Sequence, residues 1–296
     1  MSERDDVYRV DKARVRRSFD RAAPAYEGVA VLQREVRGRL LERLDLVRLR
    51  PAAVLDLGAG TGPAARALAG RYGDAHVYAL DLAPGMLREA RGARPLWQRW
   101  FGRQHFVCGD AEALPLAAGS VDLVFSNLAL QWCNDLDRTF AEIRRVLRPD
   151  GLLLFSTFGP DTLKELREAW RAADAHTHVN AFIDMHDIGD ALLRAGFADP
   201  VMDMESLCVT YPEALDLMRD LKTLGGRNAT LGRPHGLTGR GHLRRVVEAY
   251  EPHRSAGRLP ATYEVVYGHA WVPRAAPADA AGVARVSLDD LRPRRR

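Results

Sequence analysis

The sequence is poor in features that define several large classes of protein. It has three cysteines among 296 residues, Cys108, Cys133 and Cys208, and no CxxC spacing joins them. We therefore expect no disulfide framework and no thiolate metal site, but three buried thiols in a reducing compartment. No apolar run reaches the roughly 20 residues that a membrane span needs, and the charged first residues lack the apolar stretch of a secretory signal. These absences predict a cytoplasmic protein with no membrane partner.

Charge of one sign is not in large excess either. The 43 lysines and arginines and 39 acidic residues give a net charge of +4, and part of the surplus comes from the terminal stretch LRPRRR. The arginines are not interleaved with aromatic residues and form no known DNA-reading motif, so we expect no nucleic-acid partner. An acidic protein partner is equally compatible with this mild surplus.

Recognisable metal and hydrolase motifs are also missing. His176 and His178 stand two apart, with His186 and Asp187 downstream, but this spacing matches neither HExxH nor a zinc pair. No Ser-His-Asp constellation can be recognised. We therefore predict no metal site and assign these histidines to surface or helix-cap positions.

What the sequence does contain is an alternation of strand-like and helical segments. Strands are predicted over 53–57, 75–80, 105–108, 121–126, 152–158, 201–210 and 262–271. Helices are predicted over 11–21, 27–47, 64–71, 86–90, 136–147, 161–173, 185–194, 212–224 and 243–251, with turns over 83–85 and 148–151. This alternation is typical of an α/β fold in which helices cover both faces of a parallel sheet.

A glycine-rich bend follows the first predicted strand in the segment VLDLGAGTGPAARAL, residues 54–68. The dinucleotide fingerprint GxGxxG/A has glycine or alanine at its sixth place. Counted from Gly58 this place is Pro63, and counted from Gly60 it is Ala65. The case for a dinucleotide ligand is therefore weakened, but a dinucleotide is not excluded. A P-loop is disfavoured because no GK[ST] follows.

Acidic residues stand at or just after the ends of three of the predicted strands. Asp56 stands just before the first glycine, where it would repel a pyrophosphate but attract a cation. Asp81 ends the second strand, and the pair Asp110 and Ala111 follows the third. All of these positions belong to the carboxyl ends of parallel strands, where ligands bind. S-adenosyl-L-methionine, which carries an ammonium and a sulfonium, fits this pattern.

The pattern DxGxGxG with a downstream acid resembles motifs I and II of the class I methyltransferases. This resemblance implies a Rossmann-like, parallel-type sheet with helices on both faces, a helical insertion or lid, and S-adenosyl-L-methionine as cofactor. It assigns the ribose hydroxyls to Asp81 and the adenine to Asp110. The cofactor-binding residues that it implies are Asp56, Gly58, Gly60, Gly62, Asp81, Leu82, Met86, Asp110, Ala111 and Asn127.

Segments outside this core resemble a narrower family, the biotin-synthesis methyltransferases that act on malonyl-acyl carrier protein. They are SFDRAAPAY (18–26), FSNLALQW and the residues that follow it (125–170), MRDLKTLGGRNATLGRPHGLTGR (218–240) and LPATYEVVYGHAW (259–271). The resemblance extends from Val15 to about Trp271. It implies a helical lid over 1–50, a methyltransferase domain over 51–273 with insertions at about 160–185 and 211–260, and a disordered tail over 274–296.

The implied reaction is methyl transfer to the free carboxylate of malonyl-acyl carrier protein, or of malonyl-CoA. The product is the methyl ester that primes pimeloyl synthesis in biotin biosynthesis. Respiratory-complex assembly hydroxylases and trans-aconitate methyltransferases resemble the chain in the core. The alternatives are therefore methylation of another small acid or a quinone, and a hydroxylase-like assembly factor.

A carboxyl group with a pKa of about 4 is already ionised at neutral pH, so its methylation needs alignment rather than a general base. We therefore expect a dry pocket with one orienting cation or hydroxyl. Candidate catalytic residues are Tyr26 on the lid, Gln131 after the fourth strand, and Arg227 and Arg233 in the late loop. Arginines beside the lid form a candidate docking rim for an acidic carrier protein: Arg14, Arg16, Arg17 and Arg21.

Overall fold

The computed structural model describes residues 9–94, 102–174, 176–233, 236 and 239–274. Its sheet has seven strands in the order β3-β2-β1-β4-β5-β7-β6. The strands are β1 (Ala53–Leu57), β2 (His76–Asp81), β3 (Gln104–Cys108), β4 (Val121–Asn127), β5 (Leu147–Phe158), β6 (Ala198–Tyr211) and β7 (Leu259–Trp271).

Helices connect these strands and form the N-terminal segment. The α-helices are α1 (Lys12–Ala22), α2 (Tyr26–Val29), α3 (Val31–Arg43), α4 (Pro63–Arg71), α5 (Pro84–Gly92), α6 (Leu136–Val146), α7 (Lys164–Arg171), α8 (Met185–Arg194), α9 (Ala214–Thr223) and α10 (Arg240–Tyr250). Short 3₁₀ turns occur at Ala23–Ala25, Leu44–Leu46, Leu130–Trp132 and Glu251–His253.

The predicted α/β fold class is confirmed. Strands β1 to β5 are parallel, and successive residues of β1 enter separate cores on the two faces of the sheet. Val54 packs with residues of α3 and α4, whereas Leu55 packs with residues of α6 and α8. The strand order reverses between β1 and β4, which places the expected ligand crevice beyond the carboxyl ends of these strands.

One end of the sheet departs from the parallel pattern. Strand β7 lies between β5 and β6 and runs antiparallel to both. Period-2 alternation predicted strands here, but it carries no information on direction, because side chains alternate in the same way in both orientations. The outcome is a mostly parallel sheet with one reversed strand.

Two predicted boundaries were wrong. The helix predicted over 27–47 is interrupted at Ala30, whose ψ of 48° ends α2 before α3 begins. The turn predicted over 148–151 is present, with Asp150 at a φ of 62°, but it lies inside β5 as a register shift rather than before it. Strand pairing with β4 begins at Leu147 and resumes at Leu152.

The expectation of three buried thiols was also wrong. Cys108 and Cys208 are exposed, and Cys133 is half-buried with a pKa that burial raises to about 11. Cys108 ends β3 and Cys208 lies on β6, and these two strands form the edges of the sheet. Edge strands leave backbone and side chains open to solvent.

The predicted division into lid, domain and tail stays a prediction, and residues 1–8 and 275–296 lie outside the described residues. Among the residues described, no helix has both the length and the apolar character to cross a membrane.

Candidate active site

The glycine bend follows β1 and adopts left-handed backbone conformations. The φ angles of Gly58, Gly60 and Gly62 are 75°, 55° and 80°. A Cβ on Gly58 would lie 2.2 Å from Ala129 Cβ, and one on Gly62 would lie 2.8 Å from Ala90 Cβ. A Cβ on Gly60 would meet no atom within 4 Å. Gly58 and Gly62 therefore permit close packing, whereas Gly60 borders open space.

That open space is the first cavity, of about 100 Å³, at the carboxyl ends of β1, β2 and β4. It is lined by nine of the predicted residues: Tyr26, Gly58, Gly60, Asp81, Leu82, Met86, Asp110, Ala111 and Asn127. Asp56 and Gly62 are outside its lining. The sequence thus predicted nine residues that are far apart in the chain and line one continuous surface.

Asp81 connects the glycine bend to the second strand. Its carboxylate accepts hydrogen bonds from the backbone N–H groups of Gly60 and Ala83, each at 2.8 Å. Burial raises the pKa of Asp81 to about 6, although these two hydrogen bonds act in the opposite direction. The carboxylate is therefore fixed at the cavity wall, where it can accept hydroxyl hydrogen bonds.

Asp56 lies inside β1, with 1% of its surface exposed. Its Oδ2 atom has no hydrogen-bond partner among the residues that the structure describes. Burial raises the pKa of Asp56 to about 7, although a hydrogen bond from the Ala65 backbone opposes the shift. A buried acid with an unpaired oxygen beside the glycine bend fits a cationic ligand.

The N-terminal helices cover the first cavity through contacts that the sequence did not reveal. Lys12 Nζ lies 2.6 Å from Asp110 Oδ1 and 3.0 Å from Glu112 Oε1. Asp20 accepts a hydrogen bond of 2.6 Å from the Gly85 N–H, and Glu27 accepts one from the Thr61 hydroxyl. These contacts support the interpretation of this segment as a lid. Nothing local to Lys12 distinguishes it from other surface lysines.

A second cavity, of about 420 Å³, begins where the first one ends. Four residues line both cavities: Phe19, Tyr26, Leu128 and Trp132. The ring of Phe19 packs edge-on against Trp132, with centroids 5.2 Å apart, and against Tyr26, at 6.5 Å. We call these four residues the junction. Apart from the Tyr26 hydroxyl and the Trp132 indole, the junction is apolar.

Tyr26 is the predicted catalytic residue that the structure places at the junction. Burial, reinforced by the nearby carboxylates of Asp81 and Glu27, raises the pKa of its phenol above the ordinary value. The hydroxyl therefore stays protonated at neutral pH and can donate a hydrogen bond. It supplies polarity without adding a full positive charge.

Gln131 and Asn127 support the loop after β4. The Gln131 amide donates to the Leu128 carbonyl at 2.7 Å and accepts from the Thr157 hydroxyl at 3.3 Å. Asn127 donates to the Gln33 carbonyl at 3.1 Å and accepts from the Ser156 hydroxyl at 3.0 Å. Gln131 lines the second cavity, and Asn127 lines the first.

The two predicted late arginines lie outside the lining of both cavities. Arg227 is exposed, although its neighbours Gly226 and Asn228 line the second cavity. Arg233 is half-buried and donates to the Thr230 carbonyl at 2.9 Å. Burial and the charges of these two arginines lower the pKa of Arg14 on α1. Their role in substrate binding stays a prediction.

Two amide side chains in the second cavity were missed. Gln33 Oε1 and Asn180 Oδ1 are buried, and neither has a hydrogen-bond partner in the part of the chain that the structure describes. The sequence could have indicated Asn180, because it is the single polar residue in the apolar segment VNAF. A buried amide in an apolar surrounding is costly unless something binds it.

The histidines take structural positions. The ring of His178 stacks on Trp170, with centroids 3.7 Å apart, and bonds to Asp174 at 2.8 Å. His186 bonds to Asp184, the N-cap residue of α8. Within the described ranges, no group of three or more His, Cys, Asp or Glu side chains is arranged to hold a metal ion.

Comparison with known sequences places this geometry in a family. The methyltransferase domain family matches residues 55–155, which run from β1 into β5. A protein of Methylovorus sp. named malonyl-[acyl-carrier protein] O-methyltransferase is 60% identical over 96% of both chains. The chain belongs to that family. Members with the same name from Laribacter hongkongensis and Halorhodospira halophila are 56% and 51% identical, over 97% and 98% of this chain and 96% and 99% of theirs.

Solved structures show how far the malonyl-[acyl-carrier protein] O-methyltransferase family shares its fold with others. The YcgJ protein of Bacillus subtilis has a TM-score of 0.56 at 17% identity, covering 80% of this chain and 98% of that one. The [4+2]-cyclase SpnF has a TM-score of 0.57 at 18% identity, covering 91% and 99%. Because one of these is a cyclase, the likeness supports the fold alone, and the reaction must be argued from the site.

Proposed function

We propose that the chain transfers the methyl group of S-adenosyl-L-methionine to the free carboxylate of malonyl-acyl carrier protein. The product is the malonyl methyl ester that primes pimeloyl synthesis in biotin biosynthesis. The relatives named for this reaction align with nearly the whole chain. The observation that carries the proposal is the junction, where a cavity that carries the carboxylates of Asp81 and Asp110 meets a larger one at the neutral hydroxyl of Tyr26.

The first cavity is the proposed cofactor site. Asp81 would accept the ribose hydroxyls, Asp110 the adenine amino group, and Gly60 leaves space for the ligand beside the backbone. Asp56 would supply the negative charge that a cationic ligand needs. Bound S-adenosyl-L-methionine supplies an electrophilic methyl group.

The second cavity is the proposed acceptor site. A malonyl carboxylate is ionised at neutral pH, so the protein has no proton to remove from it. Tyr26 would orient the carboxylate by donating a hydrogen bond to one oxygen and leave the other free to attack. Because the hydroxyl is neutral, it does not stabilise the charged ground state as strongly as an arginine would. Alignment at the junction then supplies much of the rate enhancement.

The raised pKa of Asp56 predicts how cofactor binding depends on pH. With a pKa of about 7, the free protein holds a proton on Asp56 below neutral pH, and a cationic ligand must displace it. Affinity for S-adenosyl-L-methionine should therefore fall roughly tenfold from pH 7.5 to pH 6, since the fraction of Asp56 that must lose a proton on binding rises from about one quarter to about nine tenths. Titration calorimetry in buffers of different ionisation enthalpy measures both the affinity and the proton release.

The control for this prediction is a pair of isosteric substitutions. Asp56→Asn should flatten the pH dependence, whereas Asp74→Asn, at a fully exposed carboxylate, should leave it as in the wild type. An Asp56→Asn variant that keeps the full pH dependence would refute the assignment of the proton to Asp56. Circular dichroism at each pH separates a binding effect from a loss of fold.

The partner is proposed to dock beside the lid. Arg16, Arg17 and Arg21 are exposed on α1, the helix that covers the first cavity, and Arg14 is half-buried on it. An acidic carrier protein would be attracted to this surface, and the attraction would weaken with salt. A cytoplasmic location stays a prediction.

Charge reversal tests the docking surface. Arg17→Glu combined with Arg21→Glu should raise KM for malonyl-acyl carrier protein roughly fivefold at low salt and leave KM for malonyl-CoA unchanged. The matched control is Arg48→Glu with Arg50→Glu, which changes charge equally at exposed positions that precede the amino end of β1, away from the carboxyl ends of the strands. Equal effects of the two pairs would place the docking surface elsewhere.

A labelled-methyl assay tests the proposed function as a whole. The acceptors are malonyl-acyl carrier protein, malonyl-CoA and free malonate. Methylation of the carrier-protein substrate supports the proposal, and exclusive methylation of free malonate would indicate a small-acid methyltransferase. Cofactor binding without any methyl transfer would favour the assembly-factor alternative.

A further inference from the structure

Asn180 is an unexplained polar residue in the wall of the second cavity. It is 8% exposed, and its Oδ1 atom has no hydrogen-bond partner among the described residues. Buried polar groups in folded proteins nearly always have a partner, so an unpaired amide facing a cavity points to a ligand group that completes it.

Asn180 separates the second cavity from an outer groove of about 370 Å³ and lines both. The groove is also bordered by Trp170 and His176. His178, which also lines both spaces, is stacked on Trp170 and bonded to Asp174. Asn180 therefore lies where the second cavity and the groove meet.

The rest of this inference depends on the proposed function. If the malonyl carboxylate meets Tyr26 at the junction, then the thioester and its thiol must extend away from the first cavity, through the second. The junction and the Asn180 wall are separate parts of that cavity, because Asn180 is absent from the lining of the first. The thiol arms of acyl carrier proteins and of coenzyme A contain secondary amides, which cannot pass an apolar wall without a polar partner.

We propose that Asn180 binds a secondary amide of the thiol arm that carries the malonyl group. The Oδ1 atom accepts a hydrogen bond from the amide N–H where the arm extends from the second cavity to the groove. Asn180 is thereby a residue that selects amide-containing thioesters over simple alkyl thioesters. The proposal holds for either carrier, because coenzyme A and acyl carrier proteins share this chemical group.

A substrate series of increasing arm length tests this proposal. The acceptors are malonyl thioesters of pentanethiol, which has no amide, of N-acetylcysteamine, which has one, and of pantetheine, which has two. Asn180→Leu keeps the size of the side chain but removes its polar atoms. It should lower kcat/KM about five- to tenfold for an amide-containing thioester and leave the pentyl thioester unchanged, because only the amide loses a hydrogen bond.

A structural role would give a different pattern. Asn228 donates a hydrogen bond to the Thr177 carbonyl and thereby supports the loop that carries Asn180. Asn228→Leu should therefore lower activity with all three thioesters to a similar extent. If Asn180→Leu also lowered all three equally, or none of them, the assignment would be overturned.

The shortest acceptor that responds to Asn180→Leu identifies which amide is bound. A response that begins with N-acetylcysteamine places the first amide at Asn180, and one that begins with pantetheine places the second. If the wild-type protein methylated no malonyl thioester, then the proposed function would fail, and this inference would fail with it. Wild-type activity without an Asn180-dependent amide preference would refute the inference alone.

Discussion

Replacing Tyr26 by phenylalanine should lower kcat/KM for malonyl thioesters roughly a hundredfold, because a hydrogen bond to a charged group is worth about 1.5–3 kcal/mol. The substitution removes the hydroxyl and keeps the ring, so the packing against Phe19 stays intact. Steady-state kinetics with malonyl-acyl carrier protein measures the effect. The loss should appear in kcat as well as KM, since the hydroxyl aligns the attacking oxygen.

The specificity of this effect can be checked in two ways. The Kd of S-adenosyl-L-methionine should change less than kcat/KM, since the proposal assigns the hydroxyl to the acceptor carboxylate. Tyr72→Phe, a matched change at the C-terminal end of α4, should leave the kinetics unaltered. Wild-type kcat/KM in the Tyr26→Phe variant would rule out Tyr26 as the group that orients the carboxylate.

Adding one methyl group at Gly60 should separate cofactor binding from folding. A Cβ there meets no protein atom within 4 Å, so Gly60→Ala adds no clash within the protein but does fill space in the first cavity. At a φ of 55° the alanine costs about 1–2 kcal/mol of backbone strain. The Kd of S-adenosyl-L-methionine should rise roughly a hundredfold, equivalent to about 2.7 kcal/mol.

Two further glycine variants serve as comparisons. Gly58→Ala places its methyl 2.2 Å from Ala129 Cβ and should lower the free energy of unfolding as well as the affinity. Gly38→Ala, inside α3 with open space around it, should raise the free energy of unfolding by about 0.5–1 kcal/mol. It should leave the affinity for S-adenosyl-L-methionine unchanged. Calorimetry and thermal unfolding measure both quantities. Unchanged cofactor affinity in Gly60→Ala would mean that the ligand does not lie against the bend.

Local patterns in the sequence predicted those parts of the molecule that local physics determines. Strand β1 has the predicted bounds, and the glycines at 58, 60 and 62 all adopt the left-handed conformations that glycine tolerates best. The acids at 81 and 110 meet at one cavity because parallel strands share one carboxyl edge. Hydrophobic periodicity and turn chemistry were sufficient to predict this strand, the glycine bend and the shared position of the two acids.

Contacts between distant segments were beyond such patterns. The break at Ala30 has no proline or glycine at the break itself, and the geometry places Glu27 against Thr61. The pairing of Lys12 with Asp110 joins residues 98 positions apart, and no spacing rule predicts it. Gln33 and Asn180 lack polar partners among the described residues, and this can be recognised only in the folded chain, where both residues line the second cavity.

The first helix is joined to the late loop by its backbone. Asp11 N–H donates to the Ala229 carbonyl, and Leu231 N–H donates to the Arg9 carbonyl, each at 2.8 Å. Because α1 covers the first cavity and this loop borders the second, neither can swing aside without the other. Opening of the two cavities on this side is therefore coupled through these two hydrogen bonds.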